Sequence, residues 1–244
     1  MQTERHPRAG EPPLERDATS PATPEEVPVY NTLIPAPAIL HYRMRRGALH
    51  GNAELVWRPD GERYEARLEA RTSGIVLLTQ VSQGGFDAAG LAPQRFTDKR
   101  ARRSSVAANF QRDTGKISFS GTQAEIALNA GAQDRLSWMV QLAAIGAAEP
   151  QRLAAQGRIA MQVIGARGDA AVWQFQSFGE EAIVVDPAAT RVFRLQRVAD
   201  SAYDTHVDIW LDAQAPHWPV RAHLRNGPDD PGFELWRIDI AEPR

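Results

Sequence analysis

One segment of helical character stands among many strand-like segments, and it limits the possible folds more than any other feature of the sequence. In residues 131–148 apolar side chains recur at helical spacing on both sides of the predicted helix. They are Leu136, Met139, Val140, Ala143 and Ala147 on one side and Trp138, Leu142 and Ile145 on the other. A helix that is apolar on nearly every side must be covered on nearly every side. The sequence therefore predicts one buried helix, at about residues 134–148, as the main anchor of the core.

Two charged residues lie at the start of this predicted helix. Asp134 can accept hydrogen bonds from the first backbone amides of the helix, and its charge suits the positive end of the helix dipole. Arg135 is placed to reach a carboxylate on the sheet. The pair has two interpretations, which are a polar binding site at the mouth of the helix and a cap with an ion pair that fixes the helix in place.

Most of the remaining sequence has the two-residue period of half-buried β-strands. In residues 52–58 and 63–71, apolar side chains alternate with polar ones on either side of the turn Pro59-Asp60-Gly61. Similar runs lie at residues 75–82, 94–99, 105–111, 116–120, 125–128, 158–164, 171–178, 191–198, 205–211, 220–225 and 233–240. Strands at such regular intervals, joined by short turns, pair antiparallel. We therefore predict a mainly β fold, in which a strongly curved antiparallel sheet or open barrel is wrapped around the one helix.

The first residues of the chain differ in composition from the rest. Residues 1–29 are rich in Pro and contain almost no large apolar side chains, so they cannot bury enough surface to offset the entropy of ordering. We predict a disordered tether over residues 1–29, serving either as a spacer behind an anchor or as an ordinary disordered terminus. A single β domain follows over residues 30–244. No apolar run reaches the roughly 18 residues of a membrane span.

The sequence carries no recognisable catalytic motif. It contains no cysteine, which excludes thiol catalysis, disulfides and thiolate metal sites. The motifs of serine hydrolases, zinc proteases and phosphate- or dinucleotide-binding loops are also absent. Asp204, His206 and Asp208 share one strand face, but such neighbours stand about 7 Å apart, so one ion cannot easily collect all three. We predict no metal site, no cofactor and a non-enzymatic role, with a hydrolase whose residues assemble only in space as an alternative.

Positive charge is densest in residues 95–116, the basic segment. Its cations are Arg95, Lys99, Arg100, Arg102, Arg103, Arg112 and Lys116, with only Asp98 and Asp113 between them. Such a patch can hold the phosphate or carboxylate groups of lipids, glycans or acidic proteins, or it can be a solvated strand face. Nucleic acid is not an expected partner, because the net charge is −2 and the interleaved aromatic residues of a stacking platform are missing.

Several phrases of the sequence together resemble the bacterial family DUF3108. They are residues 95–100 (RFTDKR), 113–120 (DTGKISFS) and 131–137 (GAQDRLS), Tyr203-Asp204 leading to Trp210-Leu211, and Pro219-Val220-Arg221. The resemblance runs from about Pro35 to Ile240. It implies a periplasmic, cell-envelope protein of a Gram-negative bacterium, made with an N-terminal signal or anchor that this sequence lacks. The family has no established activity, and its expected shape is similar to that of periplasmic lipoprotein carriers.

These observations lead to one leading hypothesis on function. The inward positions of the hairpin at residues 52–71 alternate Ala with larger residues, which leaves space beside the helix. We therefore expect a non-enzymatic protein that binds a hydrophobic or amphipathic ligand between the curved sheet and the helix. The candidate ligand contacts are Asp134, Arg135, Trp138, Met139 and Leu142. The alternative is a protein- or glycan-interaction module that uses the basic segment.

Overall fold

The structure is a computed structural model that describes residues 27–185 and 188–243. The tether predicted over residues 1–29 therefore lies almost wholly outside the described residues. Within the described ranges the chain forms fifteen β-strands, one α-helix and a 3₁₀ turn at Pro150–Arg152. The strands of the first half are β1 (Ala38–Arg46), β2 (Leu49–Pro59), β3 (Arg63–Thr72), β4 (Ile75–Asp87), β5 (Gly90–Arg100), β6 (Val106–Gln111), β7 (Lys116–Phe119) and β8 (Thr122–Ala127).

The second half contains the helix and seven further strands. They are β9 (Gln133–Asp134), the helix α1 (Ser137–Ala148), β10 (Arg158–Ile164), β11 (Ala170–Val185), β12 (Ala188–Val198), β13 (Thr205–Asp212), β14 (Pro219–Asn226) and β15 (Phe233–Ala241). Each strand run predicted from the two-residue period coincides with one of the observed strands. The prediction succeeded because Gly, Pro and Asp interrupt the alternation wherever the chain turns.

All the strands belong to one large curved sheet. Its order is β8-β7-β6-β5-β4-β3-β2-β1-β15-β14-β13-β12-β11-β10-β9. Neighbouring strands pair antiparallel, except for β9 and β10, which are parallel. The sheet therefore consists of two meanders, and the pairing of β1 with β15 joins them. A mainly β fold with an antiparallel curved sheet is confirmed.

The two ends of the sheet meet without forming a backbone ladder within the described residues. Instead, side chains link them. Gln162 on β10 donates through Nε2 to the carbonyl of Ala127 at 3.0 Å and accepts the amide of Asn129 at 3.0 Å. Arg167, in the turn after β10, lies 3.3 Å from a carboxylate oxygen of Asp98 on β5. We call this line of contacts the seam. Because no described backbone ladder joins β8 to β9 or β10, the sheet is not closed.

The helix begins three residues later than predicted. Gln133 and Asp134 form the short strand β9 against Val163 and Ile164, so Asp134 has extended rather than helical backbone. Every residue from Ser137 to Gly146 is buried, as the all-round apolar pattern predicted. The carbonyl of Ala144 accepts the amide of Leu33 at 2.9 Å, which places the segment before β1 against the helix. No described helix has the length and apolarity that a membrane crossing requires.

A second, smaller apolar cluster lies on the outer face of the sheet. A β-bulge between Ser177 and Gly179, where Gly179 has φ +82°, interrupts the pairing of β11 with β12. Beyond the bulge, Ile183 and Val185 pack against three buried residues of the next strands, Val192, Trp210 and Val220. Bulges bend and twist a strand pair. The far end of the β11–β12 hairpin is thereby packed against the outside of β13 and β14.

Candidate functional site

The carboxylate of Asp134 organises the start of the helix. Its Oδ1 accepts the amides of Leu136 and Ser137, both at 2.8 Å, and its Oδ2 accepts the hydroxyl of Ser82 at 2.5 Å. In return, the amide of Asp134 donates to the Ser137 hydroxyl at 2.9 Å. This reciprocal pair resembles a capping box, and it satisfies amides that the helix itself leaves without partners.

Burial dominates the electrostatics of Asp134. Loss of hydration raises its pKa from 3.8 to about 6, although the hydrogen bonds from Ser82, Ser137 and Leu136 act in the opposite direction. Ser82 also contacts the hydroxyl of Tyr64 at 3.1 Å, and burial raises the pKa of Tyr64 well above its usual value. The chain Tyr64–Ser82–Asp134 thus links β3, β4 and β9 beneath the surface.

Arg135 forms the polar edge of the same region. Its guanidinium lies 2.6 Å from the carboxylate of Asp169 in the β10–β11 turn, and it lies 4.6 Å above the ring of Trp173. The buried Arg197 lies 5.3 Å from the same ring. Two guanidinium groups therefore contact one indole ring, an arrangement that favours cation–π attraction. Arg197 was not predicted from the sequence as a site residue, because nothing in its strand pattern indicates a buried arginine.

The three apolar ligand candidates lie in the main core. Trp138 and Leu142 are fully buried, and Met139 is 4% exposed. The Trp138 ring stacks on Phe175 with 5.5 Å between centroids and an interplanar angle of 12°. It meets Trp173 edge-on, also at 5.5 Å. A ligand that touches these residues must displace packed side chains, and their role in binding stays a prediction.

The basic segment is divided by the fold. Arg112 lies in the β6–β7 turn and pairs with Asp87 at 3.1 Å, whereas Arg100, Arg102 and Arg103 lie at the opposite end of β6. A six-residue strand separates these ends by about 20 Å. Arg100 is paired with Asp98 at 3.3 Å, and Arg95 with Asn109 at 2.6 Å. The exposed side chains of Lys99, Arg102 and Arg103 make no hydrogen bond or ion pair with described residues.

The histidines do not assemble a catalytic or metal site in the described part of the chain. His41 contacts Asp239 at 2.6 Å and Glu54 at 3.2 Å, but neither it nor any other described histidine is bonded to both a serine and a carboxylate. No described cluster of three acidic or histidine residues has the geometry to hold a metal ion. Asp208 is instead bound by Arg194 at 2.9 Å.

Two grooves lie on the outer face of the sheet around β1 and β15. The first, with a volume of about 590 Å³, contains His41, Glu54, Arg67, Glu69 and Arg71. Its charges are satisfied, because Glu69 pairs with both arginines and His41 contacts Glu54. The second groove, of about 380 Å³, lies beside the far end of the β11–β12 hairpin, and we call it the hairpin groove. Its walls include Arg43, Arg45, His50, Val184, Trp236 and Ile238.

A cross-strand row of arginine and tryptophan runs into the hairpin groove. The strand register places Arg194, Trp210, Arg221, Trp236 and Arg43 opposite one another across β12, β13, β14, β15 and β1. The Arg221 guanidinium lies 4.4 Å from Trp210 and 5.2 Å from Trp236. Cross-strand pairs of this kind stabilise a sheet face. This row was not predicted from the sequence, because it depends on which strands become neighbours.

The fold defines a protein class, that of mainly β proteins built on one large curved sheet that is not closed. The structure is similar to the crystal structure of a β-barrel-like protein of the domain of unknown function DUF1849 from Brucella abortus. The TM-score is 0.54 and the identity 13%, over 89% of this chain and 100% of that chain, so the likeness concerns the fold alone. The model of DUF3108, a protein family of unknown function, matches residues 40–228, and the chain belongs to this family. The resemblance noted in the sequence is confirmed. No curated protein matches the chain.

Proposed function

We propose that this protein is a non-enzymatic component of the bacterial cell envelope that binds a hydrophobic or amphipathic ligand between the curved sheet and the helix. On this proposal the sheet wraps around the helix, and the protein works in the periplasm. The observation that carries the proposal is a helix buried along its length beside a sheet with small inner side chains. Four of them are buried alanines, namely Ala53, Ala66, Ala70 and Ala108.

The seam supplies a route into this region. It is held by side-chain links rather than by a backbone ladder, and a typical hydrogen bond contributes only about 0.5–1.5 kcal/mol net. The amide of the Gln133 side chain donates to the carbonyl of Leu91 at 2.8 Å, but its buried Oε1 accepts no hydrogen bond from described residues. A buried acceptor without a donor is costly. A hydroxyl or amide on a bound ligand would satisfy it.

Native mass spectrometry of protein purified from its own periplasm, followed by lipid extraction, tests the proposal. We expect a bound amphiphile, and uptake of a fluorescent fatty-acid probe by delipidated protein. Because the chain has no cysteine, Asn129→Cys with Gln162→Cys can be joined across the seam by a bismaleimide. The cross-link should slow uptake at least tenfold relative to the same variant without cross-linker. Absence of both extracted lipid and probe uptake would contradict the proposal.

A second candidate function rests on Lys99, Arg102 and Arg103, whose exposed side chains make no hydrogen bond or ion pair with described residues. Cations without nearby carboxylates suit the anionic groups of a glycan or an acidic protein. Reversing the charge of Arg100, Arg102 and Arg103 should abolish the recovery of envelope partners in pull-downs. The exposed arginines Arg58 and Arg63 on β2 and β3 provide control reversals. Equal recovery with both sets would remove this candidate.

A further inference from the structure

The turns at one end of the meander β1–β8 contain no acidic residue. They are residues 47–48, 73–74, 101–105 and 120–121, and the antiparallel pairing places all four at the same end of the sheet. The turns at the opposite end contain Asp60, Glu62 and Asp113. The two ends of this meander therefore differ in charge.

Three exposed cations lie at the end without acidic turns. Lys99 is near the end of β5, and Arg102 and Arg103 lie in the β5–β6 turn. Their side chains make no hydrogen bond or ion pair with described residues. The neighbouring carboxylate, that of Asp98, is buried and paired with Arg100 and Arg167, both at 3.3 Å. The three cations are therefore available to an external anion.

A run of apolar residues lies beside these cations. Residues 75–78 (IVLL) begin β4, and none of the four is fully buried, although a strand with one buried face alternates. Leu77 and Leu78 also pack against the main core, whereas Ile75 is 63% exposed. The amide of Ala101 donates to the carbonyl of Leu77 at 2.8 Å, which places the run next to the β5–β6 turn. Consecutive apolar residues that stay accessible to solvent indicate an interaction surface.

We call Ile75, Lys99, Arg102 and Arg103 together the rim. The β3–β4 and β5–β6 turns close neighbouring strand pairs at the same end of the sheet, so a flat partner can contact both turns. The β14–β15 turn, next to β1, carries Asp230, which lies 3.9 Å from Arg46. The surface without acidic residues therefore ends at β1, and the rim lies well inside it.

We infer that the rim is a docking surface for a bilayer that contains anionic phospholipids. Lys99, Arg102 and Arg103 lie among the phosphate groups, and Ile75 enters the boundary between head groups and acyl chains. A soluble polyanion would satisfy the cations but leave Ile75 in water, whereas a bilayer surface provides for both. The inference rests on the cations of the second candidate function and names the partner that they contact.

One end of the seam lies beside the rim. Arg167, in the β10–β11 turn, binds Asp98, which immediately precedes Lys99. A docked protein holds this end of the seam at the bilayer, where a hydrophobic ligand is available. Docking itself does not require the site proposed between sheet and helix.

Flotation of the full-length protein with vesicles of equal parts phosphatidylcholine and phosphatidylglycerol tests the inference. We expect binding that weakens as salt rises and that is lost with phosphatidylcholine alone. Arg102→Gln combined with Arg103→Gln should weaken binding about thirtyfold, because each cation near an anionic surface contributes about fivefold. The matched control is Arg58→Gln with Arg63→Gln, two exposed arginines at the opposite end of the sheet, and it should leave binding within about twofold.

Ile75→Ser tests the apolar contact. It should weaken vesicle binding about tenfold, because it removes apolar surface that the bilayer buries. Ile240→Ser is the matched control, since Ile240 is 45% exposed and pairs with Leu40 near the start of β1, at the opposite end of the sheet. It should bind vesicles as the unaltered protein does.

Three outcomes would overturn the inference. The first is no binding of the unaltered protein to phosphatidylglycerol vesicles, and the second is equal weakening by the rim substitutions and their matched controls. The third is heparin binding as tight as vesicle binding, with both unaffected by Ile75→Ser. That result would indicate a glycan as the partner and would leave the second candidate function in place. The seam cross-link should not change vesicle binding, so probe uptake reports separately on the site between sheet and helix.

Discussion

Asp134 makes the stability of the protein depend on pH in an unusual direction. Its pKa is about 6 in the folded protein and 3.8 in the absence of burial. The folded state therefore holds this proton more tightly than the unfolded state does. As pH rises from about 4 to 6, the unfolded chain loses the proton first, and the contribution of Asp134 to stability falls. A difference of about two pKa units corresponds to about 3 kcal/mol.

The substitution Asp134→Asn isolates this contribution. Its side-chain oxygen can still accept the amides of Leu136 and Ser137, and its Nδ2 can donate to the hydroxyl of Ser82. The amide cannot ionise, so the variant should match the parent near pH 4 and exceed its stability by about 3 kcal/mol at pH 7.5. The other titrating groups are common to both proteins, so their contributions to the free energy of unfolding cancel in the difference.

Urea unfolding followed by tryptophan fluorescence at pH 4, 5, 6 and 7.5 measures this difference. Asp113→Asn, at an exposed turn between β6 and β7, is the matched control. A stability difference that stays constant across the series would refute the reasoning. A variant less stable than the parent at pH 7.5 would show that the hydrogen bonds to the carboxylate outweigh its burial.

Three further perturbations probe the packing. Trp138→Ala should lower the free energy of unfolding in urea by about 3–5 kcal/mol, because it removes a ring from a buried aromatic stack. The same substitution at the half-buried Trp236 should lower it by less. Gly90→Ala should be about 1–3 kcal/mol more destabilising than Gly61→Ala. Both glycines have φ near +97°, but only at Gly90 would the new Cβ lie 2.7 Å from Gln141 Oε1. Glu234→Gln should cost about 1–3 kcal/mol by weakening two arginine contacts, and Glu125→Gln, in an exposed pair with Lys116, less than about 1 kcal/mol.

The strands were predictable because their information is local. The buried face of β3 carries Tyr64, Ala66, Leu68 and Ala70. Their alternation with polar residues is visible in the sequence without knowledge of the neighbouring strands. The start of the helix was less predictable. Asp134 suits a helix cap in sequence, but pairing with Ile164 holds it in an extended strand while its carboxylate still binds the amides that follow. Long-range pairing thus moved the helix boundary without changing the role of the side chain.

The basic segment shows what local information cannot provide. Its cations are close in sequence, but they lie in two successive turns of an antiparallel meander. The β5–β6 turn, with Arg103, and the β6–β7 turn, with Arg112, are at opposite ends of β6, so these two residues do not share a surface. Proximity along the chain is a poor guide to proximity in a sheet, because each residue of a strand advances it by about 3.4 Å.

The hairpin groove has the reverse character, since its residues are distant in sequence and adjacent in space. Two features assemble it, the pairing of β1 with β15 and the bulge at Ser177–Gly179. Ile183 and Val185 pack against Trp210 and Val220, whereas Val184, which alternates to the other side of the strand, is 75% exposed. A strand that buries one face must present the other. The exposure of Val184 is therefore a geometric consequence of covering the second apolar cluster.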